Sequence, residues 1–303
     1  MVGLASRPVP VGIAGISPPW VRFYGVRGST PCEGPRYERY GGHTSCVAVE
    51  VDDEPPILFD LGTGLRVFGE DVAGRGGAFT GSVLVSHLHW DHVQGLPFFA
   101  PIHDPSTVLD VIGPRHAEGS LAAMFDGLMR PPYFPFRPRD VAATLRFADA
   151  GDDDFAVGNA KVRSRWIRHT GPTLGYRIEW RGVSIAYVSD HGPGVTDDDD
   201  DFIPSSVLEL CDGVDVLIHD SQHTCAEFRP RRHWGHSTVD YAVHVARESG
   251  AQSLALFHHC PSHSDDDLDR LLLGAQDLGA RLGVPDVFAA RDGLRVECGS
   301  GRS

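Results

Sequence analysis

The sequence predicts an α/β protein of four layers, αββα, with two β-sheets packed face to face and helices on their outer sides. Three observations carry that prediction. The chain has 303 residues, 41% of them hydrophobic, enough to bury a large core. Short apolar strands occur in two series, one in each half of the chain. Helical patterns fall between and after those strands.

The first series is VRFYGVR (21 to 27), SCVAVEV (45 to 51), PILFDLG (56 to 62) and SVLVSH (82 to 87), each bounded by turn residues. The second is KVRSRWIRH (161 to 169), TLGYRIEW (173 to 180), VSIAYVSD (183 to 190), VDVLIHD (214 to 220), LALFHH (254 to 259) and VFAAR (287 to 291). Several are apolar on both faces, so the sheets need helical cover on at least one side. Patterns of helical period at 64 to 73, 117 to 129, 205 to 211, 238 to 249 and 265 to 282 supply it. In the fourth of these, apolar residues recur at Val239, Ala242, Val243 and Ala246, and Gly250 is a stop. Ser237 followed by Asp240 resembles a capping box at its start.

No linker separates the halves, so a single domain is expected over 21 to 298, its halves meeting near 150 to 155. Residues 1 to 20 read as a flexible leader and 299 to 303 as a tail. GDDD (151 to 154) and TDDDDD (196 to 201) mark exposed, solvated turns. MRPPYFPFRPRD (129 to 140) is too proline-rich for a helix or inner strand. It reads equally as a lid or substrate wall and as a loop packed by its own aromatics.

Charge and cysteine use narrow the function classes. The formal charge is −14, from 41 acidic against 27 basic residues, so the molecule as a whole repels phosphate backbones. That weighs against a dedicated binder of long nucleic acids. The six cysteines are scattered without a C-x-x-C pair, which suits a reducing, cytoplasmic setting. No apolar run reaches the ~18 to 20 residues that span a bilayer. Prolines interrupt the apolar start and no basic segment precedes it, so a secretion signal is not expected.

Sixteen histidines, several of them clustered, direct the search for chemistry. In SHLHWDH (86 to 92), His87 and His89 alternate at the exit of the strand VLVS, and Asp91 and His92 fall in the following turn. Four nitrogen and oxygen donors in so short a stretch suit a divalent metal such as zinc, as one site or divided between two. His169, Asp190 and His258 also end strands, where layered sheets expose their sites. Each alone reads as an ordinary surface or core residue. Together the seven donors suit two metals ~3.5 to 4 Å apart, bridged by a carboxylate and a hydroxide.

The order Asp60 in ILFDLGTG, then SHLHWDH, then His169, Asp190 and His258 resembles the metallo-β-lactamase superfamily from Val21 onward. The resemblance implies that superfamily's αββα sandwich and a dinuclear centre, zinc first, with manganese or iron as alternatives. It implies His87, His89 and His169 on one metal, Asp91, His92 and His258 on the other, and Asp190 between them. Asp60 becomes a residue that steadies the ligands through hydrogen bonds. His191, His259 and His263 are expected to be solvated or to support the ligands. The scaffold hosts several chemistries. His89 stands where flavodiiron reductases carry an acidic residue, so hydrolysis is favoured over iron redox chemistry.

WGHST (234 to 238) has two readings: His236 is incidental to a helix cap, or it is a proton donor. The positive end of a helix disfavours imidazolium unless a carboxylate compensates, and Asp220 in LIHDSQHT offers one. HDSQ followed by GHST also resembles the phosphodiesterase branch typified by ribonuclease Z. That likeness implies a proton-donating pair of Asp220 and His236, with Asp220 where that enzyme carries Glu. Asp91 would then also orient the nucleophile or take its proton.

The glycine-rich basic arm of ribonuclease Z has no counterpart in this sequence. The expected substrate is therefore a small phosphodiester, a cyclic nucleotide or short oligonucleotide. Arg27 and His43, in GVRGSTPCEGPRYERYGGHTSC (25 to 46), and Arg232, in RPRRHWGH, are candidate phosphate contacts, with a strand-connecting loop and solvated charge as their bland readings. The alternative activity is that of a glyoxalase II-like thioesterase or another ester or lactam hydrolase, and a metal-binding sensor without turnover is a third. A homodimer is compatible with each.

Overall fold

The computed structural model describes residues 17–76, 79–193 and 202–299. Most of the expected leader, the TDDDDD run and residues 300–303 of the expected tail lie outside these. In chain order the elements are β1 (Trp20–Gly25), β2 (Cys46–Glu50), β3 (Ile57–Phe59), α1 (Gly64–Arg75), β4 (Thr80–Leu84), α2 (Trp90–Val93), β5 (Val108–Pro114), α3 (Leu121–Leu128), β6 (Thr144–Ala150) and β7 (Asp153–Val157). They continue with β8 (Ala160–Trp166), β9 (Leu174–Trp180), β10 (Val183–Val188), α4 (Ser205–Cys211), β11 (Val216–Asp220), α5 (Cys225–Phe228), α6 (Val239–Ser249), β12 (Ser253–Phe257), α7 (Asp265–Leu282), β13 (Asp286–Ala289) and β14 (Arg295–Glu297).

The strands form two mixed sheets, ordered β14-β1-β2-β3-β4-β5-β6 and β13-β12-β11-β10-β9-β8-β7. Side-chain alternation makes each sheet two-faced and defines the layers. Val47, Val49, Ile57 and Phe59 meet Tyr176, Ile185, Tyr187 and Phe257 between the sheets. The residues between them in the first sheet, Ala48 and Leu58, pack under Leu65 and Phe68 of α1 and Leu121 and Phe125 of α3. In the second sheet Ala186 and Val188 pack under α4, α6 and α7 through Leu210, Val243 and Leu268. Three apolar layers between four structural layers give the αββα sandwich that the two strand series predict.

Four strands escape the periodicity reading: β5, β6, β7 and β14. β6 and β7 are edge strands, largely exposed, and their acidic and basic residues obscure the alternation. Asp153 and Asp154, expected in an exposed turn, open β7; they are exposed, but as strand residues. The chain passes from the first sheet to the second between Ala150 and Asp153. The expected Ser237–Asp240 capping box does not form. Thr238 is the N-cap of α6, its hydroxyl accepting from the Tyr241 N–H at 3.0 Å, while the Ser237 hydroxyl donates to the His191 carbonyl. Among the described residues, no helix is long and apolar enough to cross a membrane.

Candidate metal centre

The candidate residues gather where strands leave the sandwich. Asp60 follows β3, His87 and His89 follow β4, His169 follows β8, Asp190 follows β10, Asp220 ends β11 and His258 follows β12. Asp60, Asp190 and His258 have left-handed backbones, with φ of 60°, 51° and 59°. Such a conformation costs a non-glycine residue about 1–3 kcal/mol and persists where the surroundings demand it. Here it turns each side chain into the shared end of the two sheets instead of continuing the strand.

All seven sequence-predicted donors meet there. The donor atoms of His87, His89, His169 and Asp190 lie within 4.8 Å of one another, and so do those of Asp91, His92, Asp190 and His258. Asp190 belongs to both groups and divides its oxygens between them. Its Oδ2 lies 3.7 Å from Nε2 of His87 and of His169. Its Oδ1 lies 3.0 Å from His92 Nε2 and 3.1 Å from His258 Nε2.

Hydrogen bonds on the far side orient the imidazoles. His92 Nδ1 lies 2.7 Å from Asp60 Oδ2, His169 Nδ1 2.8 Å from the Gly235 carbonyl and His87 Nδ1 3.0 Å from Ser86 Oγ. With the proton on Nδ1, each ring turns an Nε2 lone pair inward, as metal-ligating histidines do. Asp60 is itself fixed by the Ser86 N–H at 2.6 Å, the Ser86 hydroxyl at 2.9 Å and the Tyr187 hydroxyl at 2.7 Å.

These residues fit a pair of divalent cations. His87 Nε2 is buried without a hydrogen-bond partner, and Nε2 of His92 and of His258 face each other at 3.3 Å. The first is unfavourable in a bare protein interior and natural beside a cation, and the second brings two inward-turned imidazole nitrogens to one point. Burial would lower the His92 pKa, yet Asp190, Asp91 and Asp60 hold it well above the ordinary value. Burial would raise Asp91, and His92 and His258 hold it well below the carboxylate range. Buried carboxylates crowd the imidazoles, and imidazole with carboxylate is a donor set that suits zinc.

His236 stands beside this cluster. Its Nδ1 lies 2.8 Å from Asp220 Oδ2, and its ring stacks on His258 with centroids 5.1 Å apart. Asp220 Oδ1 accepts the backbone N–H groups of Gln222 at 3.0 Å and Ser237 at 2.9 Å. Burial alone would push the His236 imidazole down; Asp220 more than reverses this, so its pKa lies above the ordinary histidine value. Asp220, raised by burial and lowered more strongly by His236, lies below its own. Gly235 is required twice, for its φ of 79° and because a Cβ there would meet His169 Nδ1 at 2.6 Å.

Other expectations change or narrow. Arg27 is no phosphate contact: it is fully buried, donating to the carbonyls of Gly41 at 2.8 Å and His263 at 2.9 Å, with Asp265 3.6 Å away. Its own backbone bridges to Thr44 and to His259, and the buried guanidinium ties these loops together. Arg232 lies over the Phe228 ring at 5.3 Å, outside the gathered donors. His191, His259 and His263 are buried and not solvated; His259 donates to the Ala290 carbonyl and His263 pairs with Glu227. His43 lines a cavity together with Thr63, Gln94 and Phe98. Sequence reasoning missed Ser29, whose N–H donates to Asp91 Oδ2 at 2.7 Å, and Gln222, whose amide reaches Ser29 Oγ and His258 Nδ1. For Gln222 the one available signal is its place two residues after Asp220.

A two-sheet sandwich with imidazoles and carboxylates gathered at strand ends defines the class, a metal-dependent hydrolase. A family model described as a beta-lactamase superfamily domain matches residues 57–259, and the chain belongs to that superfamily. Its curated relatives include ribonuclease Z of Haloarcula marismortui, 28% identical over 277 residues that cover 78% of this chain and 85% of that protein. Ribonuclease Z of Streptococcus suis is 25% identical over 280 residues, 76% of this chain and 87% of that one. Among solved structures, the metallo-beta-lactamase fold protein YhfI from Bacillus subtilis has a TM-score of 0.68 at 19% identity, covering 92% of this chain and 99% of that one. The short form of human tRNase Z has a TM-score of 0.64 at 18% identity, covering 91% and 98%. Both structures share the fold.

Proposed function

We propose that this protein is a dinuclear metal-dependent phosphodiesterase acting on a small phosphodiester. The observation that carries the reading is the Asp220–His236 pair, a buried imidazole held on a carboxylate beside a cluster of metal-type donors. In this reading His87, His89, His169 and Asp190 hold one metal, and Asp91, His92, Asp190 and His258 the other, zinc being the first candidate. Two such cations would supply Lewis acidity, lowering the pKa of a water and neutralising charge that grows on the phosphoryl oxygens.

The protein's own residues do the rest. Asp91, fixed by the Ser29 N–H, orients the attacking water and takes its proton. His236, its pKa raised by Asp220 against the effect of burial, gives a proton to the departing alkoxide, a poor leaving group without one. Asp220 cannot rotate away, because two backbone N–H groups hold its other oxygen. A thiolate leaves unassisted, so thioester hydrolysis has less use for this pair.

The relatives named ribonuclease Z support the reaction class, and the charge of −14 supports a small substrate over a long nucleic acid. Six free cysteines support a reducing, cytoplasmic setting. The test is a panel of an aryl phosphodiester, a glutathione thioester and a chromogenic lactam on metal-loaded enzyme. Turnover of the diester above the other two is expected; a preference for the thioester or the lactam would overturn the reading.

A further inference from the structure

A cavity of about 500 Å³ is lined by stretches of chain that flank the site residues in sequence. Its walls continue the segments that build the site. Pro31 to Glu33 follow Ser29, which bonds Asp91; Thr63 follows Asp60; Gln94 follows His92. Its size falls in the range of small-ligand sites, ~300–1,000 Å³.

The lining describes an occupant. Phe98 is 59% exposed, and Phe134 braces its ring edge-on, with centroids 5.8 Å apart and planes at 90°. Phe134 is braced in turn by Phe136 at 4.7 Å, so the proline-rich segment 129 to 140 packs by its aromatics and holds Phe98 in place without covering it. Gln94, His43 and Arg66, which is paired with Glu70, share the lining with Phe98. Burial and Arg66 push the His43 pKa down, keeping it neutral. With Arg66 paired and Glu33 also on the wall, the cavity offers no net positive charge to a second phosphate. It offers an aromatic face and amide hydrogen bonds, which suit a planar, neutral heterocycle.

We propose that this cavity is the subsite for a nucleoside esterified to the scissile phosphate, its base stacking on Phe98 and its edge meeting the Gln94 amide. The proposal rests on the phosphodiesterase reading and assigns Phe98 and Gln94 as the residues that select a nucleoside ester over a plain one. Base–aromatic stacking is worth about 1–3 kcal/mol by alanine substitution, so roughly tenfold is the expected effect.

The experiment compares thymidine 5′-(p-nitrophenyl phosphate) with methyl p-nitrophenyl phosphate, which share a leaving group and differ in the nucleoside. Wild-type kcat/KM should favour the nucleoside ester, and Phe98→Ala should cut that preference about tenfold through KM while Phe98→Trp preserves it. No preference in the wild type, or a Phe98→Ala loss equal on both esters, overturns the subsite. Calorimetric binding of adenosine 5′-monophosphate against inorganic phosphate separates this from catalysis. A weaker monophosphate Kd in Phe98→Ala, with the phosphate Kd unmoved, supports the subsite even if no diester is hydrolysed, an outcome that would sink only the phosphodiesterase reading. Monophosphate binding no tighter than phosphate in the wild type overturns the subsite.

Discussion

His236 Nδ1 lies 2.8 Å from Asp220 Oδ2, and Asp220 spends its other oxygen on two backbone N–H groups. In the proposed reaction an imidazole fixed in this way would act as a directed proton donor. His236→Ala should lower kcat by about 10²–10⁴ on a diester with an alkoxide leaving group. It should cost far less when p-nitrophenolate departs, since that anion needs no proton. Equal losses on both leaving groups would assign His236 to structure instead. Asp220→Asn should show the same dependence on leaving group, because the carboxylate raises the imidazole's pKa.

Purified protein should carry about two equivalents of zinc or manganese by elemental analysis, and one iron per chain would overturn the dinuclear assignment. Stripping the metal should lower the melting temperature, since ligands that bind only the folded state stabilise it. Asp60→Asn should weaken metal affinity about 10–100-fold in competition with a chelator, because Asp60 fixes His92 at 2.7 Å. Unchanged affinity would remove Asp60 from the support of the site.

Thr238→Ala should destabilise the fold by about 1 kcal/mol in urea titrations, the usual worth of an N-cap hydroxyl. Asp240→Ala, at an exposed position, should stay within about 0.5 kcal/mol. The reverse order would restore the Ser237–Asp240 box as the cap of α6.

Burial pushes the Asp292 carboxyl up to about 7, against the Gly42 and His43 N–H groups that it accepts. The folded protein therefore keeps a proton that the unfolded chain releases near pH 4. Stability from this group is full below about pH 4 and is lost as pH rises through about 7. Asp292→Asn cannot ionise, so its melting temperature relative to wild type should rise over that window and level off above about pH 8. A difference independent of pH would mean that the carboxyl is ionised throughout.

Much of this was legible because it is local. The buried strands alternate or run apolar, and the helix expected over 265 to 282 forms over those residues, Asp265–Leu282. The histidines of SHLHWDH are close in sequence and cannot be far apart in space. β6 and β7 were not legible, because an edge strand half in water has no need of a clean apolar face. Arg27 was not legible either: an arginine in a glycine-rich loop looks the same whether it faces a phosphate or the carbonyl of His263, 236 positions later.

By itself, the sequence determined the two strand series, the layers they require and the set of residue types that suit a metal pair. Tertiary structure alone decided how Asp190 divides its oxygens between two groups of histidines, that Thr238 and not Ser237 caps α6, and that Arg27 ties loops together. The reason is physical. Periodicity and ligand spacing are short-range and written in neighbouring residues, whereas burial and hydrogen-bond partnership depend on which distant segments meet when both sheets close on one core.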